Sequence, residues 1–151
     1  MRRKERQVER EQAEKILSDS VYGVLSMNGT DCPYGVPLSH VYINGALYFH
    51  CAAEGRKLMH LRIDSRVSFC AVAEALPLPV VFSMRYQSAV LSGKAEEVTD
   101  SAEKLKILAA LVEKYSGLEH VQAGKTYAAK AIERTAVFKI KPDRITGKVR
   151  K

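Results

Sequence analysis

The sequence predicts a mainly antiparallel β-barrel with peripheral helices, folded as one domain over residues 1–151. Three observations carry this reading. β-prone runs recur from Val21 to Val98, Asn-Gly pairs and prolines punctuate them, and only a few segments show helical periodicity. At 151 residues the chain has room for one ordinary domain with a real core.

Residues 8–18 are rich in Glu, Gln, Ala and Lys and end in Ile16-Leu17, which predicts a short surface helix against one edge of the domain. Residues 21–27 are a β-prone run, and Asn28-Gly29 after it signals a turn that returns the chain as a second strand. In residues 34–43, alternation places Val36, Leu38, His40 and Tyr42 on one face and Pro37, Ser39, Val41 and Ile43 on the other. Pro37 lacks the N–H that a ladder needs, so its strand lies at an edge or a bulge, or runs beside something other than a strand. Asn44-Gly45 is the strongest turn signal in the chain, because both central residues of a type I′ turn take positive φ. Beyond it, Leu47, Phe49 and Cys51 share one face of a strand, and Tyr48 and His50 the other.

Residues 56–63 carry Leu58 and Leu61 among basic residues, as expected of a short helix over one end of the barrel. Residues 67–72 are the next strand. Leu76-Pro77-Leu78-Pro79 reads as a stiff connector through which no ladder continues, because each proline fixes φ and constrains its predecessor. In the β-prone run 80–98, Gly93 marks a bulge or a break. Asp100 and Glu103 have capping-box spacing ahead of an amphipathic helix, with Leu105, Leu108, Val112 and Tyr115 on its stripe and Gly117 as its stop. Residues 126–133 are expected to form a short helix, 136–140 a final core strand, and 141–151 a basic tail. Closing such a meander into a barrel would hide its edges.

The net charge of +7 raises the question of nucleic acid, but residues 139–151 alone hold six cations and one anion. No helix-turn-helix, zinc-finger or aromatic-basic motif accompanies them, so nucleic-acid binding is a minor alternative and not the expectation. No apolar run is long enough to span a membrane, and the basic N-terminus leads into polar residues instead of a signal segment, so the expected location is the cytoplasm. Cys32, Cys51 and Cys70 are odd in number and lack short paired spacing, which predicts reduced thiols with neither a disulfide framework nor a metal site.

Gly55-Arg56-Lys57 is the chemically informative stretch. It precedes an apolar-periodic segment, so helix-start N–H groups and two cations stand together, a combination suited to a phosphate. Two such cations at a solvated helix start are ordinarily surface residues, and it is the glycine ahead of them that favours an anion site.

A wider resemblance rests on pieces spread over nearly the whole chain. They are Met-Arg-Arg-Lys at the start, Tyr-Gly-Val-Pro-Leu-Ser-His-Val-Tyr (34–42), Leu-Tyr-Phe-His-Cys-Ala (47–52), Glu-Gly-Arg-Lys (54–57), Ser-Met-Arg-Tyr-Gln-Ser-Ala-Val (83–90) with Gly-Lys-Ala after it, and Ile-Thr-Gly-Lys (145–148). In this order and spacing the chain resembles the FMN-binding split-barrel superfamily related to pyridoxamine phosphate oxidase, and within it the nitroimidazole-resistance (Nim-type) proteins. The resemblance implies an antiparallel split β-barrel with peripheral helices, and a homodimer that binds FMN at the subunit interface. It implies that Arg56 and Lys57 hold the flavin phosphate with help from His50 and Gly55, and that Val36, Pro37 and Leu38 run beside the isoalloxazine ring. It places Gln87 against the flavin, with Ser88 a weaker candidate, and Ser39 and His40 toward the substrate side.

The implied activity is an FMN-dependent oxidoreductase acting on a small molecule, with nitro-group reduction as one candidate reaction and NAD(P)H as one candidate donor. The alternative is a module that binds or senses FMN or haem without turnover. The relatives that oxidise pyridoxamine phosphate carry an arginine and histidine pair near their end, whereas this chain ends Arg-Ile-Thr-Gly-Lys-Val-Arg-Lys, so that reaction is not expected. His40 is the candidate catalytic proton donor, against the ordinary reading of a strand histidine with a structural role. For His50, a backbone-bonded strand histidine competes nearly evenly with a flavin or phosphate contact. Cys51 reads as a small strand residue before it reads as a redox thiol.

Overall fold

The computed structural model describes residues 3–151, so the Met1-Arg2 opening of the resemblance lies outside the described residues. The strands are β1 (Gln7–Val8), β2 (Gly23–Met27), β3 (Tyr34–Leu38), β4 (Val41–Ile43), β5 (Ala46–Ala52), β6 (Arg66–Leu78), β7 (Ser83–Glu97) and β8 (Thr135–Arg150). The helices are α1 (Arg10–Asp19), α2 (Arg56–Ile63), α3 (Ser101–Tyr115) and α4 (Val121–Lys130).

All strand pairs are antiparallel, in the order β3-β2-β6-β7-β8-β5-β4, with β1 added to β8. Only Ser39 and His40 separate β3 from β4, yet these two strands are the opposite ends of the sheet. The sheet therefore rolls until its ends meet without pairing, and the expected split-barrel class with peripheral helices is the one observed. The open seam leaves two edge strands, and Pro37 lies in one of them, where a missing N–H is tolerated.

Alternation sets what faces the inside. Tyr34, Val36 and Leu38 of β3 and Tyr42 of β4 pack on the same core as Leu25, Phe49, Phe69 and Leu91. The inward phase thus runs unbroken through the seam, as expected from residues 34–43. Val41, Ala46, Tyr48 and Val137 point the other way, into a second cluster beneath Ile107, Leu108 and Leu111 of α3. Asn44 and Gly45 have φ of 51° and 76°, the type I′ turn that the Asn-Gly pair predicts. The wall of β2, β6, β7 and β8 turns Val24, Cys70, Val90 and Thr146 outward in one paired row, with Val24, Val72 and Val90 37%, 46% and 40% exposed.

Several local expectations need correction. α1 is the expected surface helix, but it packs across β4, β6, β7 and β8 instead of along one edge, with Ala13, Ile16 and Leu17 buried in the barrel core. Asn28-Gly29 does not make a tight turn, since six residues, 28–33, join β2 to β3. The ladder continues through Pro77, which pairs with Met84. Beyond Ala71, β6 has a strand on one side only, so a residue without an N–H fits there. The basic tail is instead the far half of β8, with Ile145 and Val149 turned to the core and Arg144, Lys148 and Arg150 on the other face. Alternation of cations with inward residues is what a strand with one solvated face requires, and charge alone hid it. Gly93 does mark a bulge: the extra residue is Asp143 on β8, and a side chain at Gly93 would collide with the Lys141 carbonyl.

Candidate functional site

β5 carries the chain from the core to the site. Its inward residues anchor it, with the Phe49 ring stacked 5.4 Å from that of Phe138. His50 then emerges exposed on the face turned toward α3 and α4, and Cys51 is half-buried on the opposite face. After three residues Gly55 takes φ 118°, a conformation that L side chains avoid, and serves as the N-cap of α2. No side chain caps the first N–H groups of α2, and a Cβ built on Gly55 would meet nothing within 4 Å. The helix start is open to an anion, with its dipole and two cations in place.

Arg56 is already positioned. Its Nε donates to His60 Nε2 at 3.2 Å, its guanidinium lies 4.7 Å over the Tyr34 ring, and Asp31 lies 3.4 Å from Nη2. Because His60 accepts through Nε2, its proton sits on Nδ1, which is buried without a partner among the described residues. Lys57 Nζ lies 5.8 Å from the Phe49 ring centroid, and among the described residues it has no ion pair. Although part of its surface is open, the neighbouring protein around the His50 ring and then the Lys57 charge hold its imidazole below its ordinary pKa, which favours the neutral ring. Burial pushes the Cys51 thiol up against a smaller opposing effect of Lys57, which leaves it a weak nucleophile. These residues fit a phosphate-bearing cofactor: a positive-φ glycine, uncapped N–H groups, two cations and space in front of them.

A cavity of about 570 Å³ opens beside His50, between the end of β5 and the α3–α4 pair. Ser39, His50, Cys51 and Ala52 form one wall, and apolar side chains of the two helices form the other. The structure thus brings Ser39 and His50 together, with Gly55, Arg56 and Lys57 a few residues further along the chain. Val36 and Leu38 turn into the core, and Pro37 and Ser39 turn out along the unpaired edge of β3. Gln87 and Ser88 do not reach this cavity. Gln87 donates to Glu74 at 3.2 Å, and Ser88 opens on the outer face of β7 beside Lys148.

His40 lies elsewhere in character. It sits in the seam with no exposed surface, and Nε2–H donates to the Leu17 carbonyl at 2.7 Å with Ser20 Oγ at 3.3 Å. Its own backbone binds α3: the N–H donates to Tyr115 Oη, and the carbonyl accepts from Lys114 Nζ at 3.0 Å. Burial, and to a lesser degree Lys114, bring its pKa down to about 4 against the opposing pull of Leu17. In this single chain the ring has no opening to a substrate.

Sequence reasoning missed the helical wall of the cavity and Arg134 at its rim. The observed α4 begins at Val121, ahead of the expected segment 126–133, because Gly124 and Thr126 weaken its helical signal. The buried stripe of α3 is Ile107, Leu108 and Leu111, with Leu105 and Tyr115 40% and 38% exposed. That rotation leaves Val112 and Tyr115 to line the cavity.

A rolled antiparallel sheet with an uncapped, cation-flanked helix start after β5 defines the class, and the sequence places the chain within it. Residues 9–149 match the pyridoxamine 5′-phosphate oxidase family, and the chain belongs to that family. Among solved structures, it is similar to a candidate 5-nitroimidazole antibiotic resistance protein of Bacteroides thetaiotaomicron, at 26% identity over 95% of this chain and 86% of that one, with a TM-score of 0.81. It is also similar in fold to an FAD-binding protein of Mesorhizobium loti, at 20% identity, 97% and 98% coverage and a TM-score of 0.69. An FAD- and haem-binding protein of Mycobacterium smegmatis shares the fold at 17% identity, with 97% and 74% coverage and a TM-score of 0.72. No curated protein matches the sequence.

Proposed function

We propose that the chain is a flavin-dependent oxidoreductase that binds FMN and acts on a small molecule. The observation that carries this reading is the open N-terminus of α2, where Gly55 at φ 118°, Arg56 and Lys57 offer a phosphate N–H groups and two cations a few residues along the chain from the cavity-lining His50. Family membership and flavin-binding neighbours of the same fold support it. The flavin, when bound, supplies the electron transfer. The chain supplies position: Arg56 and Lys57 hold the phosphate, and the edge of β3 from Val36 to Leu38 lies beside the ring. Neutral His50 and Ser39 face the cavity where a substrate enters. His40 serves the fold, tying α1 and α3 together at the seam, and donates no proton to substrate.

The same proposal includes a cytoplasmic homodimer. Gln87 and Ser88 lie away from the cavity of their own chain, and the outward row through Val24, Cys70, Val90 and Thr146 is uncovered, with Ser88, Ser92, Arg144 and Lys148 flanking its valines. A second copy on that face would bring Ser88 of one chain to the flavin of the other, while Gln87, which has the opposite phase and pairs with the core-facing Val149, would reach it only around the end of the strand. Nitro-group reduction is the reaction to try first, with NAD(P)H as donor.

Purified protein is reconstituted with FMN, reduced anaerobically with NADPH, and mixed with a nitroaromatic acceptor. Flavin absorption in the protein fraction, bleaching by the donor and recovery with the acceptor are expected. Absence of flavin uptake would overturn the proposal, and uptake without either electron step would leave a binding module in place of an enzyme.

A further inference from the structure

The cavity between α3, α4 and the end of β5 has a polarity that restricts what fills it. Its helical wall is apolar, from Leu108 and Leu111 on α3 to Ala128 and Ala131 on α4. No aspartate or glutamate lines it, while Arg134 stands at its rim and Lys57 acts on its His50 corner. The Arg134 guanidinium lies 5.9 Å from the Tyr127 ring centroid, and Nη2 reaches the Tyr127 hydroxyl only at 3.5 Å. Among the described residues Arg134 makes no ion pair, so its planar fork is available to a ligand. A volume near 570 Å³ suits a small molecule.

We propose that this cavity takes a small aromatic carboxylate, with the ring against the apolar helical wall and the carboxylate on Arg134. A single guanidinium beside a phenol matches a planar monoanion. The dianion of a phosphate is served instead by Gly55-Arg56-Lys57. The apolar wall also removes water from one side of the ion pair, which strengthens it. That this molecule is the substrate of the neighbouring site rests on the flavin reading above; its binding does not.

The test is equilibrium dialysis of 4-nitrobenzoate and its neutral analogue 4-nitrobenzamide against the full chain, with and without FMN, each ligand read by its own absorbance. The carboxylate is expected to bind about tenfold or more tightly than the amide, as the loss of a charge-assisted contact implies. Arg134→Gln should erase that preference without moving amide affinity or the flavin spectrum, and Arg134→Lys should restore part of it. Equal affinity of the wild-type protein for the two ligands would overturn the proposal, as would a preference that survives Arg134→Gln. If no flavin binds, the function proposed above fails, and the dialysis still decides the carboxylate site.

Discussion

His40 ties the seam of the barrel together from both directions, side chain to α1 and backbone to α3, and its burial has a measurable cost in acid. The unfolded chain takes up a proton on this residue near pH 6.5, whereas the folded chain resists until about pH 4. Protons therefore favour unfolding, and stability falls as pH drops through that window, levelling off below it. At about 1.36 kcal/mol per unit, the loss attributable to His40 is roughly 3 kcal/mol. The groups facing the ring are the Leu17 carbonyl, Ser20, Phe69 and Lys114, and none is an anion that would offset the effect. Urea unfolding at pH 7 and at pH 4.5 should show this loss in the wild type and a much smaller one in His40→Gln, whose amide still donates to Leu17. An equal loss in both proteins would mean that other groups carry the acid sensitivity. At this scale the sequence was uneven. Gly55, Arg56 and Lys57 were legible because a glycine before paired cations has a local meaning. The position of His40 was not, because one histidine in a strand reads alike in a seam and in a pocket.

Elements were legible wherever a local signal fixed them. The Asn44-Gly45 turn, the Asp100 cap, which accepts from the Glu103 N–H at 2.7 Å, and α2 at residues 56–63 all follow from adjacent residues. The errors came where tertiary pairing decided. Pro77 stays in a ladder because its strand is open on one side, and β8 hid its alternation under its cations. Gly93 belongs to both groups: its bulge was expected, but the close approach of β8 that requires glycine was not. Gly93→Ala should push β7 and β8 apart at the bulge and destabilise the protein by about 1–3 kcal/mol. Thermal unfolding checks this, and an unchanged midpoint would show that the wall yields without cost.

The whole molecule is an incomplete barrel with one uncovered wall, and that wall is where the account places a second copy. Val90 lies near the middle of the outward row, among Ser88, Ser92, Thr146, Arg144 and Lys148, so an aspartate there leaves the core untouched while placing a charge where a second copy would bury it. Val90→Asp is expected to turn the dimer into a monomer by light scattering and to weaken FMN binding together with it. A dimer that persists would move the interface elsewhere, and a monomer that still holds FMN tightly would remove the partner from the site.

The central claim is that the start of α2 holds the flavin phosphate. Fluorescence titration of FMN into the wild-type protein and into Arg56→Ala/Lys57→Ala tests it most directly. Riboflavin, which lacks the phosphate, serves as the control. Loss of two charge-assisted contacts should weaken FMN by about a hundredfold or more while changing riboflavin little. Equal FMN affinity in the two proteins, or an equal loss for FMN and riboflavin, would contradict the phosphate site.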